Sequence, residues 1–112
     1  MPTAVDTFVT VTGTYSDMNG RAGYGYVEFI PDTQIFEDSV DETIYTKSVY
    51  RARLDGYGKL SIKVAATSQD GLTPPSFTYT VVENVTGMKK RRTNGVTVPA
   101  NLGSTVPITQ LI

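Results

Sequence analysis

The chain has 112 residues, with no cysteine, no histidine, and ten Lys and Arg against eleven Asp and Glu. That length suits one domain that buries a core of its own. The missing residue types exclude disulfides, thiolate nucleophiles, Cys- or His-based zinc sites and imidazole-activated nucleophiles, and a formal charge of -1 gives no global field for nucleic acid or an anionic membrane.

No stretch approaches the roughly 18 consecutive apolar residues of a membrane span. The opening "MPTAVDTFVTV" has neither the basic start nor the apolar run of a signal peptide. Period-two alternation dominates the chain, and no apolar pattern near 3.6 is sustained, so the fold class is all-β. In "FVTVTGTY", Val9 and Val11 alternate with Phe8, Thr10, Thr12 and Thr14 and predict the first strand. Asn19-Gly20 and Gly23 mark turns. "YGYVEFIP" then places Val27 and Phe29 on one face of a strand that Pro31 ends.

The acidic stretch "DTQIFEDSVDET" reads as a loop, with Ile35, Phe36 and Val40 tacking it to the core or closing a short helical turn. "IYTKSVYRARL" resumes β character. "KLSIKVAA" gives the cleanest alternation, Leu60, Ile62 and Val64 facing inward and Lys59, Ser61 and Lys63 outward. After a loop in "TSQDGLTPPS", "FTYTVVEN" sets Phe77, Tyr79 and Val81 on one side, and "RRTNGVTVP" and "STVPITQ" are shorter strands. About seven short strands with regular turn signals predict a single antiparallel β-sandwich over residues 1–112, transthyretin-like or Ig-like.

Between the strands, "LDGYGK" has one carboxylate where a calcium loop needs several, and its glycines feed a strand where a phosphate loop would feed a helix. Asp55, Gly56 and Gly58 therefore read as a turn. The basic block "MKKRRTNG" admits three readings. It is a solvated hairpin that discourages edge pairing, an intersubunit contact for the acidic stretch, or a site for nucleic acid or an anionic glycan. Tyr24, Tyr26, Tyr45, Tyr50, Tyr57 and Tyr79 suit a sugar-stacking platform and equally suit half-buried strands. Acids such as Asp55 and Asp70 offer no spacing that selects a glycosidase pair. No catalytic residue, metal or cofactor is expected, and no enzyme activity.

The order of three stretches carries a resemblance: "VTVTGTYSDMNGRAGYGYVEFIP", then "YRARLDGYGKLSIKVAATSQDGLTPPSFTYTVVEN", then "VTVPANLGSTVPITQLI". It resembles the N-terminal domain of minor tail or tail-fibre proteins of siphophages that infect actinobacteria. There a strand ending near G-x-Y-x-D leads into G-x-V-x-F-x-P. L-D-x-x-G-x-L-x-x-x-L/V-x-A-T follows, then Y-x-V-x-E and a closing x-V-x-L/V-P. The resemblance spans nearly the whole chain, though single pieces such as G-x-V-x-F and D-G-x-G-x-L also occur in other β-sandwiches.

It implies a non-catalytic structural virion protein, located in the tail and assembled in the host cytoplasm. Such a module works in a homo-oligomer, with a trimer favoured, and with other tail proteins. It supports host attachment, a surface glycan being a possible ligand, with no nucleic acid partner and no membrane insertion. Such domains usually precede a long fibre or receptor-binding region, whereas this chain stops at Leu111-Ile112, so it is either a stand-alone protein or a first domain. The residues expected to act are Glu37, Asp38, Asp41 and Glu42 meeting Lys89, Lys90, Arg91 and Arg92 of a neighbour. Residues 103–112 form either an exit strand or a docking tail anchored by Val106, Ile108, Leu111 and Ile112. A glycan-binding adhesive module and a capsid-decorating protein share this composition and stand as alternatives.

Overall fold

A strand that alternates apolar and polar residues turns one set to the core and the other away from it. The computed structural model describes residues 8–32, 35–38, 43–46, 48–67, 72–73 and 76–112, and these form ten strands, the longer ones of which follow from such stretches. They are β1 (Phe8–Thr14), β2 (Gly25–Pro31), β3 (Ile35–Asp38), β4 (Thr43–Thr46), β5 (Tyr50–Arg53), β6 (Lys59–Ala65), β7 (Leu72–Thr73), β8 (Tyr79–Val85), β9 (Arg91–Val96) and β10 (Thr105–Pro107). A three-stranded sheet, β10-β1-β6, faces a four-stranded sheet, β5-β2-β8-β9. The fold is an all-β sandwich.

The core lies between those sheets. Val9, Val11, Leu60, Ile62 and Val64 meet Val27, Phe29, Tyr79 and Val81, as the alternation in each strand predicts. Each fully buried Val or Phe contributes about 1.5–3 kcal/mol of transfer free energy. Tyr79 is the largest of the fully buried side chains. Its hydroxyl donates to the Ala65 carbonyl at 2.7 Å, so the buried polar tip is satisfied. Phe29, Phe77 and Tyr50 meet its ring edge to face, at centroid distances of 5.5, 5.1 and 6.2 Å. Burial pushes the Tyr79 phenol up, and the nearby Tyr50 adds to the shift.

Three features depart from the sequence reading. The acidic stretch is not simply a loop, because β3 and β4 pair antiparallel from Ile35↔Thr46 to Asp38↔Thr43 and β7 joins them in a separate small sheet. Carboxylates interrupt the apolar alternation there, while Thr43, Ile44, Tyr45 and Thr46 retain β-forming side chains. The sandwich is also not wholly antiparallel, since β10 pairs parallel to β1 through Thr10↔Thr105, Val11↔Val106 and Thr12↔Pro107.

The third departure concerns the chain's last ten residues, which run as a core strand and a 3-10 turn, Ile108–Gln110. Val106 and Ile108 are buried at 1% and 3% exposure, and Leu111 packs against the core from a partly buried position. Those three side chains are used inside the molecule and are not free docking anchors, which corrects the docking-tail reading for them. A Cβ on residue 13 would stand 2.8 Å from Cγ2 of Ile108. Glycine there leaves the space into which Ile108 closes. Ile112 alone of the four is exposed, at 37%.

Candidate functional site

The strands place the acids Glu37 and Asp38 and the basic block 89–92 at opposite ends of a molecule measuring 52 × 24 × 20 Å. β2 begins at Gly25 opposite Val85 and finishes at Pro31 opposite Tyr79. The excursion that holds β3 and β4 thus leaves the four-stranded sheet beyond Pro31 and returns at Tyr50, opposite Phe29. Glu37 and Asp38 lie on β3 in that excursion, while Asp41 and Glu42 fall outside the described residues. The other end gathers the β8–β9 connection, the turn at 55–58 and the segment 15–24. Exposed Arg21, Arg53, Lys59, Lys89 and Lys90 lie there, with Arg92 just inside β9.

Two of the turns at this basic end are built alike. Asp17 Oδ1 accepts from the amides of Asn19 and Arg21 at 2.9 and 2.8 Å. Asp55 Oδ1 accepts from those of Tyr57 and Lys59 at 2.8 and 2.9 Å. The amides of Lys59 and Tyr57 hold the Asp55 carboxyl below the usual carboxylate range, with a smaller contribution from the Lys59 charge. The reading of "LDGYGK" as a turn is what the chain forms, closed by the Gly58 amide donating to the Asp55 carbonyl at 3.0 Å.

Beneath this end lies a buried carboxylate. Glu83 is 1% exposed. Its Oε2 accepts from the Tyr15 hydroxyl, and its Oε1 accepts from Nε of Arg91 at 2.6 Å. Burial, then the hydrogen bond to Glu83 and the carboxylate charge, push the Tyr15 phenol up. The same carboxylate raises the Arg91 guanidinium through its hydrogen bond. With both oxygens engaged, Glu83 serves as an internal tie and is not poised as a base.

Sequence reading missed this residue. The alternation Phe77, Tyr79, Val81 continues inward onto position 83, where a glutamate at a core position should have a partner.

Arg91 therefore ties its own sandwich through Glu83 while its side chain stays half exposed. Lys89, Lys90 and Arg92 remain exposed. The tyrosine platform contracts too. Tyr79 is in the core, Tyr50 packs against that core, and the guanidinium of Arg51 covers the Tyr26 ring at 3.7 Å. The side chain of Tyr45 lies outside the description. Tyr24 and Tyr57 are exposed, at 67% and 79%, and both belong to the basic end.

Two shallow grooves of about 410 and 480 Å³ meet at Tyr24, the first bordered by Tyr15 and Arg21 and the second by Tyr26 and Arg53. Among the described residues no group of three or more acids gathers into a metal site. Comparison of the chain with protein-family models, with curated proteins and with solved structures finds no match.

Proposed function

We propose that this chain is a non-catalytic structural module of a phage tail, of the minor tail or tail-fibre kind, that works through contacts with copies of itself and with other tail proteins. The ordered strand and turn motifs that resemble such domains support the reading. The observation that carries it is charge polarity: bases crowd one end of an elongated sandwich, and the strand-borne acids Glu37 and Asp38 lie in an excursion from the other. Opposite charges at opposite ends favour a head-to-tail contact, which closes into a ring when its rotation permits. A trimer is the expected ring.

The test is native mass by light scattering at low and high salt, since contacts between exposed charges weaken as the Debye length shrinks. The wild-type chain should assemble at low salt and dissociate at high salt. The chain with Lys89, Lys90 and Arg92 all changed to Glu should stay monomeric. Arg91 is kept because Glu83 depends on it. A wild-type monomer at every salt concentration, or assembly indifferent to the charge reversal, would overturn the electrostatic contact.

A further inference from the structure

An exposed aromatic ring on a rigid backbone is a binding feature when nothing in its own chain covers it and polar groups flank it. Tyr24 meets that description. Its amide donates to Oγ1 of Thr86 at 3.1 Å, and its carbonyl accepts from the Thr86 amide at 2.8 Å. Gly23 before it is packed so closely that a Cβ would stand 2.8 Å from Cγ1 of Val85. Both backbone groups of Tyr24 are thus tied to Thr86, while the ring stands in solvent where the two grooves meet.

The flanking groups include two cations, with the Asp17 carboxylate also lining the first groove. Arg21 lines one groove and Arg53 the other, both are exposed, and among the described residues neither forms an ion pair. Asp17, the acid beside Arg21, already accepts two backbone amides on one carboxylate oxygen. The second groove adds the side chain of Asn84, held by a hydrogen bond from its Nδ2 to the Tyr26 hydroxyl at 3.1 Å. A guanidinium fork matches a carboxylate in two parallel hydrogen bonds, and a tyrosine face suits the C–H side of a sugar ring.

We propose that the basic end is a binding site for an acidic saccharide, with Tyr24 stacking on a sugar ring while Arg21 and Arg53 hold carboxylates on either side. The site deepens the attachment role proposed above and rests on it for its biological meaning; it shares the basic end with the head-to-tail contact, so a saccharide and a neighbouring copy compete there. A nucleic acid would also bring rings and anions. The saccharide is favoured because one exposed ring serves both grooves, whereas single-stranded nucleic acid is bound along a track of successive stacking rings.

The experiment is calorimetric titration of the full 112-residue chain at low salt, diluted until light scattering reports the monomer, with trigalacturonate, with neutral galactotriose, and with oligothymidylate. Saturable binding of trigalacturonate is expected, at least about tenfold tighter than galactotriose. Tyr24→Ala should weaken it by about tenfold or more, Tyr24→Phe should retain it within about twofold, and Arg21→Gln and Arg53→Gln should each weaken it several-fold. Three results overturn the proposal: no saturable trigalacturonate binding, binding indifferent to Tyr24→Ala, or tighter binding of oligothymidylate with the same dependence on Tyr24. Light scattering on the same samples separates the two claims. No binding by the monomer removes the site alone, and saccharide binding by a chain that stays monomeric at every concentration and salt removes the head-to-tail contact alone.

Discussion

The turns at Asp17 and Asp55 have the same local construction and different surroundings. In each, the aspartate takes amides from the second and fourth residues onward on one carboxylate oxygen, and a glycine at the third has positive φ, +80 at Gly20 and +75 at Gly58. A Cβ on residue 20 would meet nothing within 4 Å. One on residue 58 would stand 2.2 Å from the Tyr15 carbonyl oxygen and 3.0 Å from the Gly23 nitrogen. The first turn projects Met18 into solvent. The second is pressed against segment 15–23, where the Tyr15 amide donates to the Gly58 carbonyl at 2.8 Å. Local sequence makes the turn, and packing decides what the turn carries.

The largest expected effect follows from that contact. Gly58→Ala should lower stability by about 3 kcal/mol, combining left-handed backbone strain with a backbone collision that cannot rotate away. Gly20→Ala should cost roughly 1 kcal/mol from the backbone alone. Urea denaturation of both variants measures the gap, and equal midpoints would show that the Tyr15 contact contributes nothing.

Tyr15 also connects the docked turn to Glu83, so the next variant breaks the far side of that connection. Arg91→Ala should cost about 3 kcal/mol, near the low end for a broken buried pair, because water reaches Arg91 but not Glu83. Glu83→Gln should cost less, about 1–2 kcal/mol, since the arginine left behind is half exposed and can be hydrated. The order of the two is the prediction. A costlier Glu83→Gln would mean that the carboxylate is better solvated than its burial implies.

This asymmetry also marks what the sequence displayed and what it did not. The inward positions of β1, β2, β6 and β8 were legible because period-two alternation depends only on neighbours along the strand. The Asp55 turn was legible for the same reason. Its seat against Tyr15 was not, because that contact joins residues far apart in the chain. The parallel pairing of β10 and the seat of Ile108 over Gly13 are likewise properties of long-range packing, so the apolar closing residues read equally well as a strand or as anchors. β3 was hidden by the carboxylates Glu37 and Asp38, which interrupt the apolar pattern, whereas β4 falls largely in the stretch "IYTKSVYRARL" that already read as β. At the basic end, the block at 89–92 was visible as charge, whereas the assignment of Arg91 to Glu83 needed the register Glu83↔Arg91 of β8 and β9.

The smallest effect tests the turn itself through pH. The folded Asp55 carboxyl is held below its usual value, chiefly by the Lys59 and Tyr57 amides, so between the folded and unfolded values the unfolded chain binds the extra proton. The resulting stabilisation is complete above the ordinary aspartate range, about pH 4, and is lost as pH falls through the lower folded value. Asp55→Asn keeps an oxygen acceptor without the charge. It should therefore melt below wild type at neutral pH, with the difference narrowing as pH is lowered from about 4 toward about 2. Thermal melts of the two chains across that range give the curve. A difference that stays constant would mean that the amides hold the oxygen for its position and gain nothing from its charge. The charge would then add nothing to the docked turn beyond its hydrogen bonds and the packing of Gly58 against Tyr15.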